Sequence, residues 1–202
     1  MRTVPMAHTE LEASLVERAR KGDRAALEEL IRRHSRPAAR LAARLLGNRE
    51  DAEDVVQEAF TKAFLNLESF RGRSAGRACT FRTWLMRITL NLAQDHLRRR
   101  HRLARGTDRT AELQDVSELA ASGAGPRRSV EARDQVEHLN RALQELPARQ
   151  KTALQLKIYE GLGYQEIAAV LGTSVGAARV YLALARQSLR RRYERAARRM
   201  EP

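Results

Sequence analysis

Three features of the 202-residue sequence predict an all-α fold of two small helical domains joined by a flexible linker. Apolar residues recur at the i, i+3, i+4, i+7 spacing of amphipathic helices along most of the chain. Aromatic residues are only 4% of it and alternating β-branched runs are absent, which argues against sheet. The helical period is lost over residues 106–129, where Gly123, Gly125 and Pro126 sit among Ser and Ala, so this stretch is expected to link a domain at 10–105 to one at 130–199.

Leu11, Leu15, Val16 and Ala19 mark a short first helix that stops at Gly22. Asp23 caps a second, which carries Leu27, Leu30, Ile31, Leu41, Ala42, Leu45 and Leu46, is expected to kink at Pro37 and ends at Gly47. The strongest pattern follows over residues 48–67, NREDAEDVVQEAFTKAFLNL, with Asn48 as N-cap. Ala52, Val55, Val56, Ala59, Phe60, Ala63, Phe64 and Leu67 form its core face. On the opposite side Asp51, Asp54 and Glu58 share a stripe, with Gln57 and Thr61 beside it. Acids early in a helix ordinarily complement the macrodipole. In a chain of net charge +13 they also offer a docking face for a basic partner helix.

A basic loop, residues 70–80, leads into a long helix from Phe81 to about Arg102. Phe81, Trp84, Leu85, Ile88 and Leu92 form the apolar side, and Arg87, Asn91, Gln94, Asp95 and Arg98 the polar one. Cations, amide groups and aromatics in one segment are what a single-stranded nucleic acid requires. Trp84 lies on the apolar period and is assigned to the core, whereas Asn91 and its flanking arginines are assigned to function. Cys79 in the loop is read as incidental rather than as a redox sensor.

The second half opens with a helix over 130–145, followed by one that Pro147 starts and Gly161 and Gly163 stop. Residues 164–171, a turn at Gly172 and Thr173, Ser174 as N-cap and a helix from Val175 to about Arg199 read as a helix-turn-helix. Ile167, Ala168 and Leu171 are expected to pack on Ala178, Leu182, Ala185 and Leu189. Its second helix would present Thr173, Ser174, Ala177, Arg179, Val180 and Ala183 to the major groove, while Arg186, Arg190 and Arg191 meet phosphates.

The 38 Lys and Arg against 25 Asp and Glu point to a polyanionic partner, nucleic acid before membrane. A single cysteine excludes a disulfide framework, and no apolar run reaches the length of a membrane span, so no direct membrane insertion and a cytoplasmic location are expected. No phosphate-cradling glycine loop, nucleophile elbow or histidine metal spacing is present, so no catalytic residue, cofactor, metal or small-molecule substrate is assigned.

Four collinear stretches carry a family resemblance: DAEDVVQEAFTKAF, FRGR followed by FRTWLMRITLNLAQDHLRRR, LPARQKTALQLKIYEGLGYQEIAAVLG, and SVGAARVYLALARQSLRRR. In order and spacing they resemble bacterial RNA polymerase sigma-70 factors of the extracytoplasmic-function group, which retain only regions 2 and 4. The resemblance implies that region 2 docks on the β′ clamp helices of core RNA polymerase through Asp51, Asp54, Gln57 and Glu58. It implies that Arg71, Arg73, Arg87, Asn91, Asp95 and Arg98 capture and melt the -10 element, Asp95 by orienting an arginine. Region 4 would bind the β flap and read the -35 element with Thr173, Ser174, Ala177, Arg179, Val180, Ala183 and Arg186. Promoter DNA and an anti-sigma factor are the further partners it suggests.

Two departures stand out. ARVYLALAR replaces the polar or basic pattern usual in the family's reading helix, so Val180, Ala183 and Leu184 either read thymine methyls or form an apolar patch for a protein. SAGRACT makes the loop before Phe81 longer than usual. A stand-alone helix-turn-helix regulator and a metal-dependent nucleic-acid enzyme are the competing readings; the first would bind duplex without polymerase, the second would turn over with a divalent ion.

Overall fold

The computed structural model describes residues 6–70, 72–74, 77–106, 143 and 145–200, of which 6–11, 73, 74, 77, 78, 104–106 and 195–200 are described by their backbone alone. The expected linker beyond Gly106 and the helix expected over 130–145 lie outside these residues, apart from 143 and 145. The chain divides into two compact units, Met1–Leu119 and Ala120–Pro202.

In the first unit, α1 (Met6–Arg20), α2 (Arg24–Leu46), α3 (Arg49–Leu65) and α4 (Phe81–Gly106) form a bundle in which α2, α3 and α4 pack on one another. The boundaries follow local chemistry. Asp23 accepts from the Ala26 N–H at 3.2 Å to start α2, and Asn48 accepts from the Glu50 N–H at 2.8 Å to start α3. Between them Gly47 takes φ 73°, the left-handed conformation that lets its N–H close on the Ala43 carbonyl. Helix α2 continues through Pro37 without a break, and Ala38, Leu41 and Ala42 beyond it are buried in the core. Ile31, expected inside, is exposed, and His34 takes a core position instead.

The apolar face of α3 is buried as its period requires: Ala52, Val55, Val56, Ala59, Phe60 and Ala63 are inside, with Phe64 half-buried against them, and Leu67 is buried in the short turn that follows the helix. Helix α4 is more deeply sunk than one amphipathic face explains, since Thr83, Met86, Thr89 and Leu90 are buried as well as Phe81, Leu85 and Leu92. Thr89 fits there by donating its hydroxyl to the Leu85 carbonyl at 3.0 Å. The loop before α4 contains a two-residue antiparallel ladder, β1 (Arg73–Ser74) on β2 (Arg77–Ala78), a pairing the composition did not signal. It is closed from outside by the Cys79 N–H on the Gly72 carbonyl at 2.8 Å.

Two titratable groups meet where α1, α2 and α4 converge. Glu12 accepts from the Arg82 N–H at 3.1 Å, capping the first turn of α4, and its Oε1 lies 3.8 Å from Nε2 of His34. That nitrogen is buried without a hydrogen-bond partner, and burial, aided by the charges of Arg82 and Arg33, holds the imidazole down at about 4. An unfolded histidine takes its proton near 6.5, so this site's stability is complete above that pH and is lost as pH falls toward 4, by at most about 3 kcal/mol. Glu12, pushed up chiefly by burial, acts in the opposite sense, losing stability as pH rises through its elevated value. The loss of melting temperature between pH 6.5 and 4 should therefore be shallower in His34→Leu than in wild type; parallel curves would show that His34 carries no such linkage.

In the second unit, α5 (Ala148–Tyr159), α6 (Tyr164–Leu171) and α7 (Val175–Met200) share a core of Leu154, Leu156, Leu162, Ile167, Ala168, Val170, Ala178, Leu182 and Ala185. Gly163 opens α6, its N–H held by Glu166 Oε2 at 2.8 Å. Gly172 closes α6 at φ 62°, and Ser174 then caps α7 by accepting from the Ala177 N–H at 3.0 Å. The chain turns through 100° between α6 and α7, within the range of a helix-turn-helix. No single helix among the described residues is long and apolar enough to cross a membrane.

Candidate docking and nucleic-acid surfaces

The outer face of α3 carries Asp54, Gln57 and Glu58, all exposed. Glu58 forms an i,i+4 pair with Lys62 at 2.8 Å, weak at such exposure and readily exchanged for an external cation. Asp51 differs from its neighbours. Its carboxylate is only 25% exposed and lies 3.4 Å from His96 Nε2 and 3.8 Å from Arg100, so it ties α3 to α4. Helical period puts Asp51 on the acidic stripe but carries no sign of its partners, which are 45 and 49 positions away. At the far end of the same stripe, reached by steps of four and three through Glu58 and Thr61, Leu65 is 78% exposed.

The exposed side of α4 holds the second set. Asn91, Asp95 and Arg98 are exposed and Arg87 and Gln94 half-buried, a row spanning roughly 16 Å along the helix. Asp95 accepts from Arg98, one turn further along, at 3.0 Å. Arg71 lies outside the described residues, and of Arg73 only the backbone is placed, in β1. Trp84 belongs to the aromatic core: its ring stacks on Phe70 at 4.9 Å and 30° and lies 6.0 Å from Phe81. Burial pushes the Cys79 thiol up, away from the thiolate a redox sensor needs.

On α7, Arg179, Val180, Ala183, Leu184 and Arg186 are exposed, and Ala177 and Thr173 are half-buried. Ser174 accepts the Ala177 N–H as the helix cap, which leaves its hydroxyl proton and a second lone pair for a ligand. Tyr181 within the apolar segment turns toward α5, where its hydroxyl accepts from Arg149 at 3.4 Å. Part of the arginine-rich end is neutralised internally, Arg190 by Glu194 at 2.8 Å and Arg192 by Glu145. Sequence reasoning missed Tyr164, at the start of α6, whose ring has the Arg179 guanidinium carbon 5.5 Å and the Lys157 ammonium 5.4 Å from its centroid. Among the described residues no group of three or more His, Cys, Asp or Glu is placed to hold a metal ion.

Comparison with known proteins gives these surfaces a context. The family Sigma-70 region 2 matches residues 30–103 and the family Sigma-70, region 4 matches residues 137–189. The chain is 36% identical over 188 residues to the RNA polymerase sigma-H factor of Pseudomonas aeruginosa, covering 91% of this chain and 94% of that one. It is 34% identical over 180 residues to the ECF RNA polymerase sigma-E factor of Escherichia coli K12, covering 87% and 90%. Among solved structures it resembles CnrH in complex with the cytosolic domain of CnrY, with a TM-score of 0.63 and 27% identity over 91% of this chain and 97% of that one.

Proposed function

The chain belongs to the extracytoplasmic-function group of the sigma-70 family, and from that premise we propose how its own residues divide the work of promoter recognition between two units. It is a sigma factor that binds core RNA polymerase and promoter DNA. Members of this family direct initiation and have no catalytic role of their own. The exposed Asp54, Gln57 and Glu58 of α3 dock on a basic helical element of the polymerase, the β′ clamp helices. Asp51 contributes mainly by holding α4 against that docking helix.

The α4 row opens the -10 element. Melting without ATP requires that captured bases recover the few kcal/mol each that unstacking costs, by stacking and hydrogen bonds in the protein. Asn91 supplies the amide that can both donate to and accept from a base edge, Arg87 and Arg98 supply cations, and Asp95 fixes the direction of Arg98. In the second unit α7 reads the -35 element, with Arg179 as its long donor and Val180 and Ala183 beside thymine methyls. Arg186 meets backbone phosphate. The likeness to CnrH, solved in complex with the cytosolic domain of CnrY, supports a protein partner for this chain as well.

The observation that carries this reading is the placement of an exposed acidic face and an exposed Arg, Asn and Asp row on adjacent helices of one bundle. A promoter duplex with a pre-melted -10 bubble tests it in a gel shift with and without core polymerase. Specific binding is expected only with core, and Asn91→Ala should weaken bubble capture about fivefold to tenfold while leaving fully duplex binding unchanged. Specific duplex binding by the chain alone would favour a free-standing regulator.

A further inference from the structure

We propose that Tyr164 is a positioning residue that fixes the direction of Arg179 and thereby sets base preference at the -35 element, a role that rests on the reading of α7 given above. An arginine on the surface of a helix samples many rotamers, and reading one base edge requires that most be given up. Arg179 is exposed on the second turn of α7 and forms no ion pair among the described residues. What restrains it is the Tyr164 ring, 5.5 Å away across the turn that joins α6 to α7. The attraction of a guanidinium to an aromatic ring selects those rotamers that keep the two groups together.

The ring is itself anchored. Tyr164 is the first residue of α6, directly after Gly163, whose N–H is held by Glu166 at 2.8 Å. From α5, Lys157 approaches the same ring at 5.4 Å and donates to the Leu162 carbonyl at 3.1 Å, so the lysine is fixed in turn by the loop that leads into Tyr164. One aromatic side chain thus gathers the cations of α5 and α7 onto the frame of α6. The need is acute in this sequence because the neighbouring Val180, Ala183 and Leu184 offer no polar group to share the reading.

The test uses holoenzyme assembled from the full chain and core polymerase, selecting from promoters randomised in the -35 element. Arg179→Ala should flatten the preference at one or two positions. Tyr164→Leu should weaken the preference at those same positions threefold to tenfold and leave the others unchanged, Tyr164→Phe should retain it, and Tyr164→Leu should add nothing in the Arg179→Ala background. If Arg179→Ala flattens a position and Tyr164→Leu leaves it intact, or if Tyr164→Phe fails as badly as Tyr164→Leu, the positioning role is wrong although α7 still reads DNA. If Arg179→Ala moves no preference, the reading of α7 fails and the proposal with it. A measurement on the unaltered chain guards against misfolded variants: the Arg179 side-chain protons should show an upfield ring-current shift by NMR that Arg186 lacks, and its absence would overturn the contact itself.

Discussion

Replacing Asp54 and Glu58 together by arginine is expected to abolish assembly with core RNA polymerase while leaving the chain folded. Both side chains are exposed on the outer face of α3, on the side away from Val55, Ala59 and Ala63. Within the chain the double substitution breaks the exposed Glu58–Lys62 pair, and pairs of that kind contribute about 0.3–0.5 kcal/mol. Thermal stability should therefore change by no more than about 1 kcal/mol, including the new repulsion from Lys62. At the interface the effect is of a different order. Two attractive contacts become two like-charge juxtapositions, which cost several kcal/mol where water is excluded. A loss of at least about 100-fold in affinity for core polymerase follows, equivalent to roughly 3 kcal/mol. Competition against wild type for a limiting amount of core polymerase reads this directly, and undiminished competition by the double variant would remove α3 as the docking surface. Asp51→Asn should behave otherwise, with a small loss of affinity and a measurable loss of stability, because its carboxylate is engaged with His96 and Arg100.

The contrast between Asp54 and Asp51 shows what could be read from sequence and what could not. Helical period placed Val55, Ala59 and Phe60 inside and Asp54 outside, because burial on a helix repeats with the helix itself. Asp23, Asn48 and Ser174 announced helix starts through side chains that act within three residues of themselves. Contacts between elements leave no such local trace. The pairing of Asp51 with His96, of Glu12 with the first turn of α4, and of Tyr164 with Arg179 depends on how helices cross. The same limit explains His34, whose type suggests a surface position but which three packed helices enclose. It also explains Thr83 and Thr89, polar residues carried inside because α4 is surrounded on more than one face. A two-residue ladder such as β1 on β2 is below the length at which alternation can be recognised.

Phe81→Ala is expected to be the most destabilising single change in the first unit. The ring is 1% exposed and is among the largest fully buried side chains of the protein. It sits against three others, 5.4 Å from His34, 6.2 Å from Phe70 at 88°, and 6.0 Å from Trp84. Truncating a buried phenylalanine costs about 3–5 kcal/mol, a large part of what a domain of this size possesses. Phe81 is also the first residue of α4, between the Thr80 side chain that accepts from the Thr83 N–H at 3.2 Å and the Arg82 N–H held by Glu12. Loss of the ring therefore loosens the start of the helix that carries Arg87 and Asn91, although neither residue is altered. The second unit has its own core and its transition should stay where it was, so unfolding followed by separate probes in each unit should show only the first one shifted. Phe81→Leu, which retains most of the buried volume, should cost no more than about 1.5 kcal/mol and keep bubble capture. Should Phe81→Ala leave the first transition unmoved, the aromatic cluster would not be what seats α4, and the position of the Arg87 to Arg98 row would need another cause. Should stability fall while bubble capture persists below the transition, the row would be positioned by the Asp51 contact to His96 and Arg100 rather than by the start of the helix.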